Sequence, residues 1–88
     1  MNLGRKILVV GANGSGKTTF ANKLSKILII KHYELDNIFW KPDWQESVNE
    51  EFRAKVDEVT QTESWIIDGN YSRNQDLTIG RADTIIWL

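Results

Sequence analysis

The sequence predicts an α/β domain whose largely parallel sheet is flanked by helices. Two observations carry that prediction. Short apolar runs rich in β-branched residues alternate with stretches of helical apolar spacing, and a glycine-rich turn joins the first run to the first helix. The chain has 88 residues, enough for one small domain over 1–88 and too few for two.

Lys6 to Val10 (KILVV) is a short apolar run ending at a glycine, the pattern of a strand buried on both faces. From Lys17 the period changes. Phe20, Leu24, Ile27 and Leu28 fall at helical spacing, with Lys23 and Lys26 on the other side. Ile27 to Leu35 (ILIIKHYEL) holds the end of that helix and a second strand. No Gly or Pro lies within it, so the boundary between them stays open.

Asp36 to Trp44 is a loop carrying the one proline, Pro42. Asp43 is then a good N-cap with Glu46 three residues later, the two halves of a capping box. Val48, Phe52, Val56 and Val59 form one apolar stripe on the helix that follows, and Glu50, Glu51, Lys55 and Glu58 lie off it as a solvated face. Trp65 to Asp68 (WIID) reads as a third strand closed by Gly69. Asn70 to Ala82 is a loop with room for a short helix, and Thr84 to Leu88 (TIIWL) is a fourth strand. The order βα-β-α-β-(α)-β favours parallel strands with crossovers. Because a strand built for burial ends at Leu88, the sequence reads as a fragment or a truncated product.

Composition narrows the function classes. Lys+Arg 11 against Asp+Glu 12 leaves a formal charge of -1, which argues against a broad nucleic-acid face. With no cysteine, neither disulfides nor thiolate metal sites enter, a usage that fits the cytosol. Arg5 and Lys6 before ILVVGA loosely mimic a signal peptide, but the apolar run stops at Asn13 and no spanning segment follows. The expectation is a cytoplasmic protein without a membrane segment.

The turn itself carries chemistry. Gly11, four residues, then Gly16, Lys17 and Thr18 match G-x-x-x-x-G-K-[ST], the P-loop. A polyphosphate needs many short donors around it, and glycines let backbone N–H groups turn inward and approach closely. The helix that begins near Lys17 adds its unpaired N–H groups and positive dipole end. Gly11, Ala12, Asn13, Gly14, Ser15, Gly16, Lys17, Thr18 and Thr19 therefore form the expected ATP-binding loop. Lys17 reaches the β- and γ-phosphates, and the Thr18 hydroxyl ligates Mg²⁺. From residue frequencies alone, a chance match is on the order of a few per thousand in a chain this long. The alternative is a glycine-rich turn that only connects strand to helix. Asp68, an acid ending an apolar strand, stands where a Walker-B-type aspartate holds Mg²⁺ or its water; its alternative is a turn cap beside Gly69.

Taken together, VVGANGSGKTTFANKL, ELDNIFWKPDW and WIIDGNYSR resemble the adenylate-kinase-like P-loop kinases. The nearest likeness is to the bacterial group labelled DNA topology modulation protein, or adenylate-kinase-related kinase. The resemblance covers nearly the whole chain but only the N-terminal part of that family's domain. It implies a nucleoside-monophosphate-kinase-like parallel sheet in order 2-3-1-4-5, with strands one to four in this sequence. The fifth strand, the arginine-bearing lid and the adenine-contacting segment would follow Leu88, which sets turnover apart from binding.

The resemblance also proposes site residues. Asp36 falls where related kinases place an acceptor-binding or base carboxylate, the alternative being a turn former. Arg53 lies on the helix that in these kinases covers the acceptor; the alternative is a solvated or ion-paired helix residue. Arg73 follows DGNYS, one position later than the arginine after Asp-Gly in nucleoside monophosphate kinases, and is otherwise a plain loop arginine. Arg81 is a weaker candidate of the same kind. Phe39, Trp40 and Trp44 would wall an acceptor pocket or pack in the core, Trp65 and Trp87 read as core, and His32 reads as structural or surface with no neighbour to complete a metal site.

Three functions are weighed against one another. The first is a phosphotransferase using ATP and Mg²⁺ on a small nucleotide-like or other small-molecule acceptor, with Lys17, Asp36, Arg53 and Arg73 in catalytic roles. The second is a nucleotide-binding regulatory module without kinase chemistry, related to DNA topology by the group's label. The third, a nucleotide-hydrolysing switch or transporter ATPase, lacks both an ABC-type signature and an Asn-Lys-x-Asp guanine reader. The apolar terminal strand further predicts self-association.

Overall fold

The computed structural model describes residues 4–12, 16–35, 49–69 and 75–88. Strand β1 (Lys6–Val10) is followed by helix α1 (Lys17–Leu28), strand β2 (His32–Glu34) and helix α2 (Asn49–Thr60). Strand β3 (Trp65–Asp68), the four-residue helix α3 (Gln75–Thr78) and strand β4 (Thr84–Trp87) complete the order. The four strands form one sheet in order β2-β3-β1-β4, and every pairing is parallel. This is the α/β architecture with a parallel sheet that the alternation of apolar periods predicts, and its strand order agrees with strands one to four of the order that the family resemblance implies. The expected capping box at Asp43 and Glu46, and Val48 of the stripe, lie outside the described residues.

Alternate residues of each strand face opposite layers. Ile7, Val9 and Ile66 pack on the α1 side with Ala21 and Ile30, joined by half-buried Leu24, Leu28 and Ile86. Leu8, Val10, Trp65 and Ile67 pack on the other side with Phe52, Val56 and Val59 of α2 and Leu77 of α3. Burying one such side chain is worth about 1.5–3 kcal/mol, against about 0–1 kcal/mol for an exposed ion pair. Polar groups within this core are satisfied: the Thr60 hydroxyl donates to the Val56 carbonyl at 2.8 Å, and the Trp65 indole N–H to the Thr60 carbonyl at 3.3 Å.

Two details differ from the sequence reading, and a third was open in it. On α1 the sheet-facing residues are Ala21, Leu24 and Leu28, whereas Ile27 is 75 % exposed and Phe20 is exposed too. Both sit on the flank of the stripe, roughly a third of a turn from Ala21. Trp87, expected in the core, is 72 % exposed, because β4 is an edge strand and its register pairs Trp87 with Val10 where the α2–α3 layer does not reach over it. The boundary that stayed open in the sequence is set by Ile29, which takes the left-handed conformation (φ 56°, ψ 50°) that usually belongs to glycine. There the Ile30 N–H donates to the Ser25 carbonyl at 3.1 Å, closing the helix before β2 starts.

Candidate functional site

The carboxyl ends of β1, β2 and β3 converge at the amino end of α1. Gly16 heads α1 with φ 83°, and a Cβ there would meet no atom within 4 Å. Backbone conformation, not space, is thus what calls for glycine at this point. The Gly16 carbonyl accepts the Phe20 N–H at 2.9 Å, the first intrahelical bond. Among the described residues no side chain caps the helix, and no acid lies in its first turn, so the positive end of α1 is not neutralised from within the helix. Lys17 is half-buried, and Thr18 and Thr19 are exposed. Gly11 and Ala12 leave β1 at the same end of the sheet, while Asn13, Gly14 and Ser15 lie outside the described residues.

Asp68 ends β3 and is 2 % exposed. Parallel pairing sets it beside Val9 of β1 and Glu34 of β2. On the α1 face its two oxygens have different partners. The Thr18 hydroxyl donates to Oδ1 at 3.4 Å, and the His32 Nε2 lies against Oδ2. Thr18 and Asp68, assigned from sequence to one metal role, are therefore brought together across 50 residues of chain. Gly69 follows with φ 136°, and a Cβ on it would stand 2.7 Å from that of Leu35. Geometry and space both demand glycine immediately after the aspartate.

The sequence reads His32 as structural or surface, with no neighbour to complete a metal site; its contact with Asp68 fits a structural role, but the structure does bring two carboxylates beside the ring. His32, Glu34 and Asp68 each offer a ligand atom within 4.8 Å of the others. The signal lay in the alternation His-Tyr-Glu, since residues two apart on a strand share a face. Only the register between β2 and β3 reveals that Asp68 shares that face as well.

Arg53 is placed differently. It is on α2, which packs against the sheet face opposite α1. Its guanidinium grips Asp76 of α3 in a two-pronged pair at 3.0 and 2.5 Å, the ion-paired alternative for this residue. Arg81 reaches back from beyond α3 to Asp57 at 2.6 Å and to the Thr60 hydroxyl at 2.9 Å. Arg53, Asp57, Asp76, Leu77 and Arg81 line an open groove between α2 and α3. Hydrogen bonding to Arg53 holds the Asp76 carboxyl below its ordinary value, and Arg81 does the same for Asp57. Asp36, Arg73, Phe39, Trp40 and Trp44 lie outside the described residues.

Comparison with protein-family models and with curated proteins gave no match. No helix among the described residues is long and apolar enough to cross a membrane.

Proposed function

We propose that this chain has a P-loop NTPase fold and binds ATP with Mg²⁺ through residues 11–19. It would transfer the γ-phosphate to a small nucleotide-like or other small-molecule acceptor, as its resemblance to adenylate-kinase-like P-loop kinases implies. One observation carries this reading. The hydroxyl of the P-loop threonine, Thr18, meets the buried strand-end carboxylate Asp68 beside the amino end of α1. A hydroxyl and a carboxylate are the hard oxygen donors that suit Mg²⁺, so the residues present fit the ion.

Bound Mg²⁺ would neutralise charge on the β- and γ-phosphates. The chain's own groups do the remainder. Backbone N–H groups of the loop and the first turn of α1 bind phosphate oxygens. Lys17 supplies a point charge, and Thr18 and Asp68 orient the cation's water shell. Asp36, Arg53 and Arg73 are the proposed acceptor-side residues. Arg53 would have to exchange Asp76 for substrate, which favours binding without transfer as the second reading.

Calorimetry with Mg-ATP tests the first step. The expected result is saturable heat that Lys17→Ala removes or weakens at least tenfold. Identical behaviour of parent and variant would overturn nucleotide binding by this loop. Acceptor-dependent ADP formation across nucleotides, nucleosides and sugars then separates a kinase from a binding module.

A further inference from the structure

We propose that His32, Glu34 and Asp68 form a binding site for a borderline divalent cation of the Zn²⁺ or Co²⁺ class. The site shares Asp68 with the proposed nucleotide site but takes its ion without nucleotide. Three features support it. The ligand atoms, one imidazole nitrogen and two carboxylate oxygens, lie within 4.8 Å of one another. All three residues sit on paired parallel strands, Glu34 directly opposite Asp68, so the sheet fixes their spacing rather than a loop. Asp68 is buried, and Oδ1 faces Thr18 while Oδ2 faces His32, which leaves the second oxygen for an ion distinct from one held beside Thr18.

Electrostatics point the same way. Two carboxylates stand together at the carboxyl ends of two paired strands, one of them buried and met by one hydroxyl and one imidazole. Among the described residues, Asp68 has side-chain contacts with Thr18 and His32. A divalent cation between the three would balance both acids at once. Zinc-to-nitrogen and zinc-to-oxygen bonds are about 2.0–2.2 Å, so the ring would withdraw slightly from Oδ2 to admit the ion. Half-buried His32 and Glu34 give a path from solvent, and water would fill the remaining positions. The donor set decides the class of ion: imidazole suits Zn²⁺, Co²⁺ and Ni²⁺, whereas Mg²⁺ prefers oxygen alone.

The chain contains a single histidine, so its ring resonances report this site without ambiguity. The full chain, without a histidine tag and without nucleotide, is titrated with Co²⁺ by visible absorption and with Zn²⁺ by NMR of the ring. One ion per chain and a shifted His32 ring are expected. His32→Gln and Glu34→Gln should each weaken binding at least tenfold, with circular dichroism confirming that each variant is folded. Lys17→Ala should keep Zn²⁺ binding, so failure of the nucleotide reading and failure of this one are distinguishable. A ring unmoved by Zn²⁺, or two folded glutamine variants that bind like the parent, would overturn the site.

Discussion

Ile29 shows how much one residue can conceal. It is 87 % exposed and holds the left-handed conformation that ends α1. For a β-branched residue that conformation costs about 1–2 kcal/mol, because its Cβ crowds the backbone. Exposure means that little burial compensates. Ile29→Gly should therefore raise stability by about 1 kcal/mol, reading as an increase of about 4–8 °C in Tm for a chain of this size. Equal or lower Tm in thermal denaturation would show that the side chain contributes contacts exceeding the strain. The same residue explains why the end of α1 is invisible in the sequence: the stop signal is a backbone conformation, and the residue adopting it is an ordinary strand former. Gly16 and Gly69 are the opposite case, since residue type and conformation agree and both positions are legible.

At the scale of elements, two arginine–carboxylate pairs join the helices on one side of the sheet. Arg53 on α2 holds Asp76 on α3, and Arg81 beyond α3 holds Asp57 on α2. Both aspartates titrate below their ordinary value of 3.8, in each case chiefly through the hydrogen bond from arginine. A folded-state value below the unfolded one means that the pairing stabilises the fold fully at neutral pH. That stabilisation declines as pH falls past the ordinary aspartate value and disappears below the folded one. Asp57→Asn combined with Asp76→Asn should lower Tm at pH 7, and the gap from the parent should close as the solution is acidified through that range. The Arg53–Asp76 pair is exposed and the Arg81–Asp57 pair half-buried, so added salt should narrow the gap as well, chiefly through the first. A gap that is constant from neutral to acid pH would assign the loss to packing. The short α3 and its ion pairs were hard to read from sequence. Four residues carry too little periodicity, and nothing local in Asn70 to Ala82 selects Asp76 as the partner of an arginine 23 residues earlier.

Across the whole molecule, the strand order entered only through the family resemblance, but the α/β alternation was legible because parallel strands buried on both faces read as continuous apolar runs, and each run was separated by a helical period. The proximity of His32 to Asp68 was not, since it arises from register between strands that are 36 residues apart. The same topology makes β4 an edge, which the run Thr84 to Leu88 does not disclose by itself. Ile85, Trp87 and Leu88 are left exposed there. An apolar edge of this kind favours pairing with another strand, and in a solution of this chain alone the available strand belongs to a second copy. Sedimentation velocity should show association that grows with concentration. Trp87→Lys should suppress it by placing a charge on the exposed face of the edge, at little cost to folding because the side chain is largely outside the core. A sharp monomer at high concentration, or association unaltered by the lysine, would mean that the edge is not where copies meet. The exposed flank of α1 at Phe20 and Ile27 would then be the next apolar surface to alter.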